Sequence, residues 1–179
     1  MNLNQYFSND EVTTLLESWV TDYPSLAALS PIGHSHEGRP IWLLTLTNQA
    51  TGSDLNKPAL WIDANIHATE LAGSTTALYI ADHLLNTYSS DEQVAHLLDT
   101  CVIYIVPRVN PDGAALALSD HPRFVRSGVS SYPWEELDEG LHVQDINGDG
   151  KILQMRIVDP NGDWKISTLD PRLMQKRSP

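Results

Sequence analysis

Pro58-Ala59-Leu60-Trp61-Ile62-Asp63-Ala64-Asn65-Ile66-His67-Ala68-Thr69-Glu70 is the stretch that decides the fold. Pro58 to Ile66 is a nearly continuous apolar run, which predicts a central strand covered on both faces. From Glu70 to Tyr88 the apolar residues Leu71, Leu78, Ile80, Ala81, Leu84 and Leu85 recur at helical spacing. His67 and Glu70 therefore sit where a strand turns into a helix. A histidine and a glutamate three residues apart at such a turn can converge on one Zn²⁺. A catalytic zinc takes three protein ligands and keeps a position open for water, so a third ligand has to come from elsewhere. A second reading is purely structural: a strand-end histidine bonded to a carbonyl, and an acidic first-turn residue favoured by the helix dipole. The motif alone does not choose between them.

Outward from this stretch, Asp91 to Leu98 reads as a short helix capped by Ser90. Cys101 to Val106 reads as a second buried strand, closed by Pro107. Strand, helix, helix, strand predicts parallel pairing in a sheet with helices on its faces. Ligands in such sheets bind outside the carboxyl ends of the strands. His67 and Glu70 lie at one such end, and Asn110-Pro111-Asp112-Gly113 lies just past the other. Towards the N-terminus, Ser8 and Glu11 form a capping box. It opens an amphipathic helix through Val12, Leu15, Leu16, Trp19 and Val20 that closes near Pro24. Ala28 to His34 and Pro40 to Thr47 predict an antiparallel hairpin around His36-Glu37-Gly38-Arg39-Pro40. Asn48 to Lys57 reads as a polar loop. The expected fold is α/β, a mixed, partly parallel sheet with helices on both faces. Pro58 to Ile66 and Cys101 to Val106 are its expected central strands.

After Gly113 the character changes. Ser119 to Pro179 is rich in Asp, Gly, Pro and Arg, with short apolar patches only. A long irregular stretch is uncommon inside a complete compact domain. The expectation is one partial domain over 1–179, truncated at its C-terminus, whose residues 127–179 form an Asp/Gly-rich, insertion-like tail. Within it, Asp145-x-Asn147-x-Asp149-Gly150 matches the first half of a calcium loop, with Ile152 at the usual hydrophobic position. The twelfth position holds Arg156 where an EF-hand needs a bidentate glutamate, which excludes a normal EF-hand. Ca²⁺ on Asp145, Asn147 and Asp149 stands beside an Asx/Gly turn, and the turn is the preferred reading.

Composition narrows the function. The 179 residues carry 11 basic and 23 acidic side chains, a net charge of −12. That field repels nucleic acid and anionic membranes, so neither is expected as a partner. Cys101 is the single cysteine, so no internal disulfide is available; its apolar neighbours suggest a buried thiol. Met1 to Phe7 shows no signal-peptide pattern, and a cytoplasmic location is the default expectation.

Taken in order, the motifs resemble those of the zinc carboxypeptidases of the carboxypeptidase A type. They run through Tyr23-Pro24 and the hairpin Ile32-Gly33-His34-Ser35-His36-Glu37-Gly38-Arg39-Pro40-Ile41. Trp61-Ile62-Asp63 with Ile66-His67-x-x-Glu70 follows, then Asn110-Pro111-Asp112-Gly113, and finally Arg123-x-x-Arg126. The resemblance implies that His67 and Glu70 are zinc ligands. It implies that Arg126 polarises the scissile carbonyl and stabilises the oxyanion, with Arg123 a secondary positive contact to substrate. Asn110 to Gly113 would shape the cleft. The implied cofactor is Zn²⁺, the implied substrate a peptide or protein C-terminus, and the implied reaction hydrolysis of the C-terminal peptide bond.

The chain also departs from that pattern. The family's third zinc ligand, Asn-Arg carboxylate clamp, tyrosine and general-base glutamate lie downstream of the arginine segment. No Asn-Arg pair is present, and His142, the only later histidine, sits in a different local context. The expectation is an incomplete catalytic domain. Two alternatives stand beside it: a non-catalytic binding module with a vestigial metal site, and a related zinc amidase acting on cell-wall peptides or acylated amino acids.

Overall fold

The computed structural model describes residues 5–122, 125–129, 145, 147–152 and 157–177. The chain forms two compact units, Met1–Gly140 and Leu141–Pro179.

The first unit opens with α1 (Asn9–Asp22), started by the Ser8/Glu11 capping box read from the sequence. Strands β1 (Ala27–His34) and β2 (Pro40–Leu46) form the expected antiparallel hairpin, with a register shift between Pro31 and Gly33. Gly38 takes φ +80° in the connecting turn, a conformation that costs glycine little. The polar stretch after β2 folds into two short 3₁₀ turns, Gln49–Thr51 and Asp54–Asn56, and leads into β3 (Ala59–Asp63). Helices α2 (Leu71–Thr87) and α3 (Glu92–Thr100) follow, then β4 (Val102–Val106) and α4 (Pro111–Ala117).

The four strands form one mixed sheet in the order β1-β2-β4-β3. β4 runs antiparallel to β2 and parallel to β3. Its register with β2 sets Leu44 against Ile105 and Leu46 against Ile103, all fully or almost fully buried. These residues share one core with Val12, Leu16 and Trp19 of α1, Leu78, Ala81 and Leu85 of α2, and Val94 and Leu98 of α3. On the opposite face the same registers line up Thr45, Tyr104 and Trp61. Tyr104 there donates a 3.0 Å hydrogen bond to Asp54.

Three sequence expectations need correction. Pro58 to Ile66 is not a central strand: β3 ends at Asp63 and stands at the sheet edge, paired among the described residues with β4 alone. Leu60 and Trp61 are therefore about half exposed. The cap of α3 is Asp91, not Ser90; its carboxylate accepts from the N–H groups of Gln93 and Val94. The Cys101 thiol is half-buried rather than buried, because Cys101 ends α3 instead of lying inside β4. Asn110 to Gly113 forms the cap and first turn of α4, with Pro111 at the first helical position, where its missing N–H costs nothing.

The second unit contains β5 (Trp164–Ile166) and β6 (Met174–Lys176), an antiparallel pair inside the stretch expected to be irregular. No helix among the described residues is long and apolar enough to cross a membrane.

Candidate metal centre

Just beyond the carboxyl end of β3, the backbone turns sharply at Asn65, the one non-glycine residue described with positive φ, at +55°. Asparagine enters this left-handed region more readily than most residues. Its side-chain amide donates to the carbonyls of His67, at 2.8 Å, and Ala68, at 3.3 Å. The His67 carbonyl also accepts from the Glu70 N–H at 3.1 Å. Glu70 is the N-cap residue of α2, yet its carboxylate makes no capping bond. It turns instead towards His67, whose Nδ1 lies 2.9 Å from Glu70 Oε2. The other oxygen, Oε1, lies 4.0 Å from Arg126 Nη1.

The structure thus brings together three of the sequence-predicted site residues, His67, Glu70 and Arg126. All three are open to solvent, Arg126 and Glu70 more so than His67. Arg123 lies outside the described residues, as do His142 and Arg156.

Two residues of the Asn110 to Gly113 motif, given no individual roles by the sequence reading, fix this corner. Asn110 caps α4 by accepting from the Gly113 N–H, while its amide donates to the carbonyls of Ser127, at 2.7 Å, and Ile66, at 3.3 Å. Its own N–H donates to the Asn65 carbonyl at 3.1 Å. The Ala68 N–H donates to the Arg126 carbonyl at 2.9 Å, so the arginine segment is tied directly to the His-x-x-Glu turn. Gly113 lets α4 approach that turn: a Cβ there would lie 2.5 Å from Ala68 Cβ.

Asp112 is the second. Almost fully buried, it accepts from Ser35 Oγ at 2.7 Å, the Glu37 N–H at 3.0 Å and Arg39 Nη1 at 2.6 Å. Arg39 also pairs with Glu37. This carboxylate anchors the β1–β2 turn to α4. Burial pushes its pKa up, but the hydrogen bonds from Ser35, Arg39 and the Glu37 N–H, with the Arg39 charge, outweigh burial and hold it below the usual range. Asn-Pro-Asp-Gly carries a legible signal for all this, since Asn before Pro is a helix-start pattern as well as a turn pattern.

His67 and Glu70 offer an imidazole nitrogen and a carboxylate oxygen on one side of one turn, the donor chemistry zinc prefers. Among the described residues no third His, Cys, Asp or Glu joins them. The donor set fits zinc as two of the three protein ligands that a catalytic site needs.

In the second unit, the Asp145 carboxylate faces inward and accepts from the N–H groups of Gly148, Asp149 and Gly150. The Gly150 bond is the main cause of its lowered pKa, against a smaller opposing effect of burial. Asn147 donates to Asp149 Oδ2, and Asp149 Oδ1 accepts from the Lys151 N–H. Gly148 and Gly150 both take positive φ. These are the bonds of a tight Asx turn.

Known proteins place the chain in a family. Residues 12–169 match the zinc carboxypeptidase family. Mouse carboxypeptidase A2 is 36% identical over 163 residues, which is 91% of this chain and 33% of that protein. Carboxypeptidase B of the crayfish Astacus astacus is 30% identical over 164 residues, 92% of this chain and 46% of that protein. The crystal structure of thrombin-activatable fibrinolysis inhibitor superimposes with a TM-score of 0.62 at 28% identity, over 69% of this chain and 30% of that one. The chain thus spans a third to just under half the length of the relatives it matches. On the matched length, the ordered motifs and the shared architecture, this chain belongs to the zinc carboxypeptidase family.

Proposed function

We propose that this chain carries the metal-binding corner of a carboxypeptidase that releases the C-terminal residue of a peptide. The observation that carries the reading is the convergence of His67 Nδ1 on Glu70 Oε2 at 2.9 Å, with the Arg126 guanidinium at the other oxygen. His67 and Glu70 would hold Zn²⁺, which when bound supplies a Lewis acid and acidifies water. The Arg126 guanidinium sets a positive charge beside the ligands, where a carbonyl oxygen gaining charge is stabilised. The hydrogen bonds from Asn65 and Asn110 fix the turn in advance, so little reorganisation is left for the reaction.

Among the described residues no third His, Cys, Asp or Glu joins the pair to hold a metal ion. The 179-residue chain is therefore proposed to bind zinc weakly and to leave peptides uncleaved, since catalytic groups that act as a unit fail together. The missing third donor also supports a second reading, in which this corner is a non-catalytic binding surface.

Calorimetric zinc titration tests the ligand assignment: His67→Ala should remove most of the zinc affinity. Unchanged binding in that variant refutes the assignment. A C-terminal residue release assay, run on the 179-residue chain and on the product of its whole reading frame, tests the activity. Chelator-sensitive turnover by the 179-residue chain would show that a histidine or carboxylate outside the described residues completes the site. Absence of turnover in both, with zinc bound, would leave the binding reading.

A further inference from the structure

Glu70 is the cap residue of α2, yet its carboxylate turns to His67, so α2 starts without a side-chain cap. A helix start leaves backbone groups unpaired, and without a cap its position rests on packing and on other bonds. In the first turn of α2, residues 71–74, Ser74 is 1% exposed and its hydroxyl accepts from Arg108 Nη2 at 3.3 Å. Among the described residues this is the one side-chain hydrogen bond that ties that turn to a distant part of the chain. The other end of α2 is held separately by Tyr88, whose hydroxyl donates to Asp99 at 2.9 Å and accepts from Asn48 at 2.9 Å.

Arg108 is 5% exposed and lies just past β4. Its guanidinium is oriented from the side of α1: Nη1 donates to Asn9 Oδ1 at 2.8 Å, and Nη2 to the Phe7 carbonyl at 2.8 Å. A planar fork held at two places presents its next N–H in a fixed direction, here towards Ser74, which a lysine ammonium cannot reproduce. Nε is buried with no partner, an unpaired donor that the fold carries to keep this arrangement. The backbone after Arg108 runs to the other ligand. The Val109 N–H donates to the Ala64 carbonyl at 2.9 Å and the Asn110 N–H to the Asn65 carbonyl at 3.1 Å, and the Asn65 amide holds the His67 carbonyl. Arg108 therefore reaches the turn of His67 through its backbone neighbours and the helix of Glu70 through its side chain.

We propose that Arg108 is a positioning residue for the metal corner. Through Ser74 it holds the first turn of α2, and with it Glu70, where the carboxylate and the His67 imidazole can take one metal ion. Its effect travels one helical turn, from Ser74 back to Glu70. This role rests on the zinc reading of the corner, but the tie itself is measurable without metal.

The test uses the 179-residue chain and three readouts: the nitrogen signals of the His67 imidazole in metal-free protein, calorimetric zinc affinity, and the melting temperature. Imidazole nitrogen signals report which ring nitrogen carries the proton and what it bonds, so they follow the contact with Glu70. Ser74→Ala removes the tie and leaves Arg108 its bonds to Phe7 and Asn9. It should shift the His67 signals and lower zinc affinity about 10-fold, the scale on which groups that support metal ligands act. Tyr88→Phe loosens the far end of the same helix. It should lower the melting temperature as well, but leave the His67 signals and the zinc affinity unchanged. Arg108→Lys keeps the charge without the fork and should weaken zinc binding as Ser74→Ala does. Joined to Ser74→Ala it should add little further loss, because both act through one bond. Where Arg108→Lys does not fold, Ser74→Ala decides alone. Unchanged ring signals in Ser74→Ala overturn the proposal. So does an equal zinc loss in Tyr88→Phe, which marks a general loosening of the fold, and so do losses from Arg108→Lys and Ser74→Ala that add in full. Zinc binding undiminished in His67→Ala overturns the zinc reading instead, and the metal-free ring signals then decide whether Arg108 sets the His67–Glu70 contact.

Discussion

Replacing Asp112 by alanine should loosen the tie between the β1–β2 turn and α4. The carboxylate is 6% exposed and accepts three hydrogen bonds, from the Ser35 hydroxyl, the Glu37 N–H and the Arg39 guanidinium. A hydrogen bond to a charged group is worth about 1.5–3 kcal/mol, and three on one carboxylate do not add in full. Arg39 is about one-third exposed and can turn to water or to Glu37, which reduces the loss. The Glu37 N–H and the Ser35 hydroxyl are less free to do so. The expected cost of Asp112→Ala is therefore about 2–4 kcal/mol, that of Ser35→Ala about 1 kcal/mol.

Urea unfolding followed by tryptophan fluorescence measures both, and a double-mutant cycle of Asp112 with Ser35 should show a coupling of at least about 0.5 kcal/mol. The same carboxylate fixes a pH dependence. Its pKa is depressed in the folded state, so its stabilisation is fully present above the unfolded value near 3.9 and is lost as pH falls through the lower folded value. The wild-type chain should lose stability below about pH 4 more steeply than Asp112→Asn. A variant within about 0.5 kcal/mol of wild type, or one with an unchanged acid limb, would show that the three bonds form equally well to water and that this tie stabilises nothing.

Three further outcomes follow from the packing. Gly113→Ala should cost about 1–3 kcal/mol, since its Cβ would lie 2.5 Å from Ala68 Cβ. The Gly113→Ala/Ala68→Gly double variant, read by thermal melting, should recover only part of the loss, since Asn110 Nδ2 at 2.7 Å and the Ala68 Cα at 2.9 Å stay in the way; full recovery would refute that account. Trp61→Lys should reduce concentration-dependent association in analytical ultracentrifugation, because Trp61 is half exposed on a strand whose outer edge is unpaired among the described residues. If Asp145, Asn147 and Asp149 bind Ca²⁺, calcium should raise the melting temperature and Asp149→Ala should abolish the rise. A titration without heat leaves the Asx turn as the whole account of that loop.

What the sequence made legible was local. The capping box of α1, the β1–β2 hairpin and the strand-to-helix turn at His67 and Glu70 are each encoded within a few neighbouring residues. The structure shows them with boundaries shifted by a residue or two. What stayed hidden was the number and identity of distant partners. An apolar run marks a strand that belongs in a sheet, but it does not count the strands beside it, so β3 read as central. Asp112 reads as a turn residue because its partners Ser35 and Arg39 are more than seventy positions away. Arg108 gave no signal at all, since a lone arginine after a strand looks like a surface residue until its burial is known.

Asn65 shows why the site residues were easier to find than the residues that hold them. Zinc chemistry restricts its ligands to a few residue types, so His67 and Glu70 stand out at their spacing. The turn that presents them needs only a residue able to adopt φ +55° and to donate to two carbonyls, a demand that leaves no recognisable spacing. The turn also carries a cost: Asn65 Oδ1 is buried without a partner among the described residues, which forfeits about 1–3 kcal/mol. Strained backbone and an unsatisfied acceptor in the same residue, two positions before a candidate ligand, are what a fold tolerates where geometry matters more than stability. The amide is oriented by its two donor bonds, and the orphaned oxygen is the consequence. Asn110 completes the arrangement from the other side by clamping the Ile66 and Ser127 carbonyls, so one strand end, one helix cap and the arginine segment are tied together. The backbone positions of His67, Glu70 and Arg126 relative to one another are thus set by backbone carbonyls and asparagine amides.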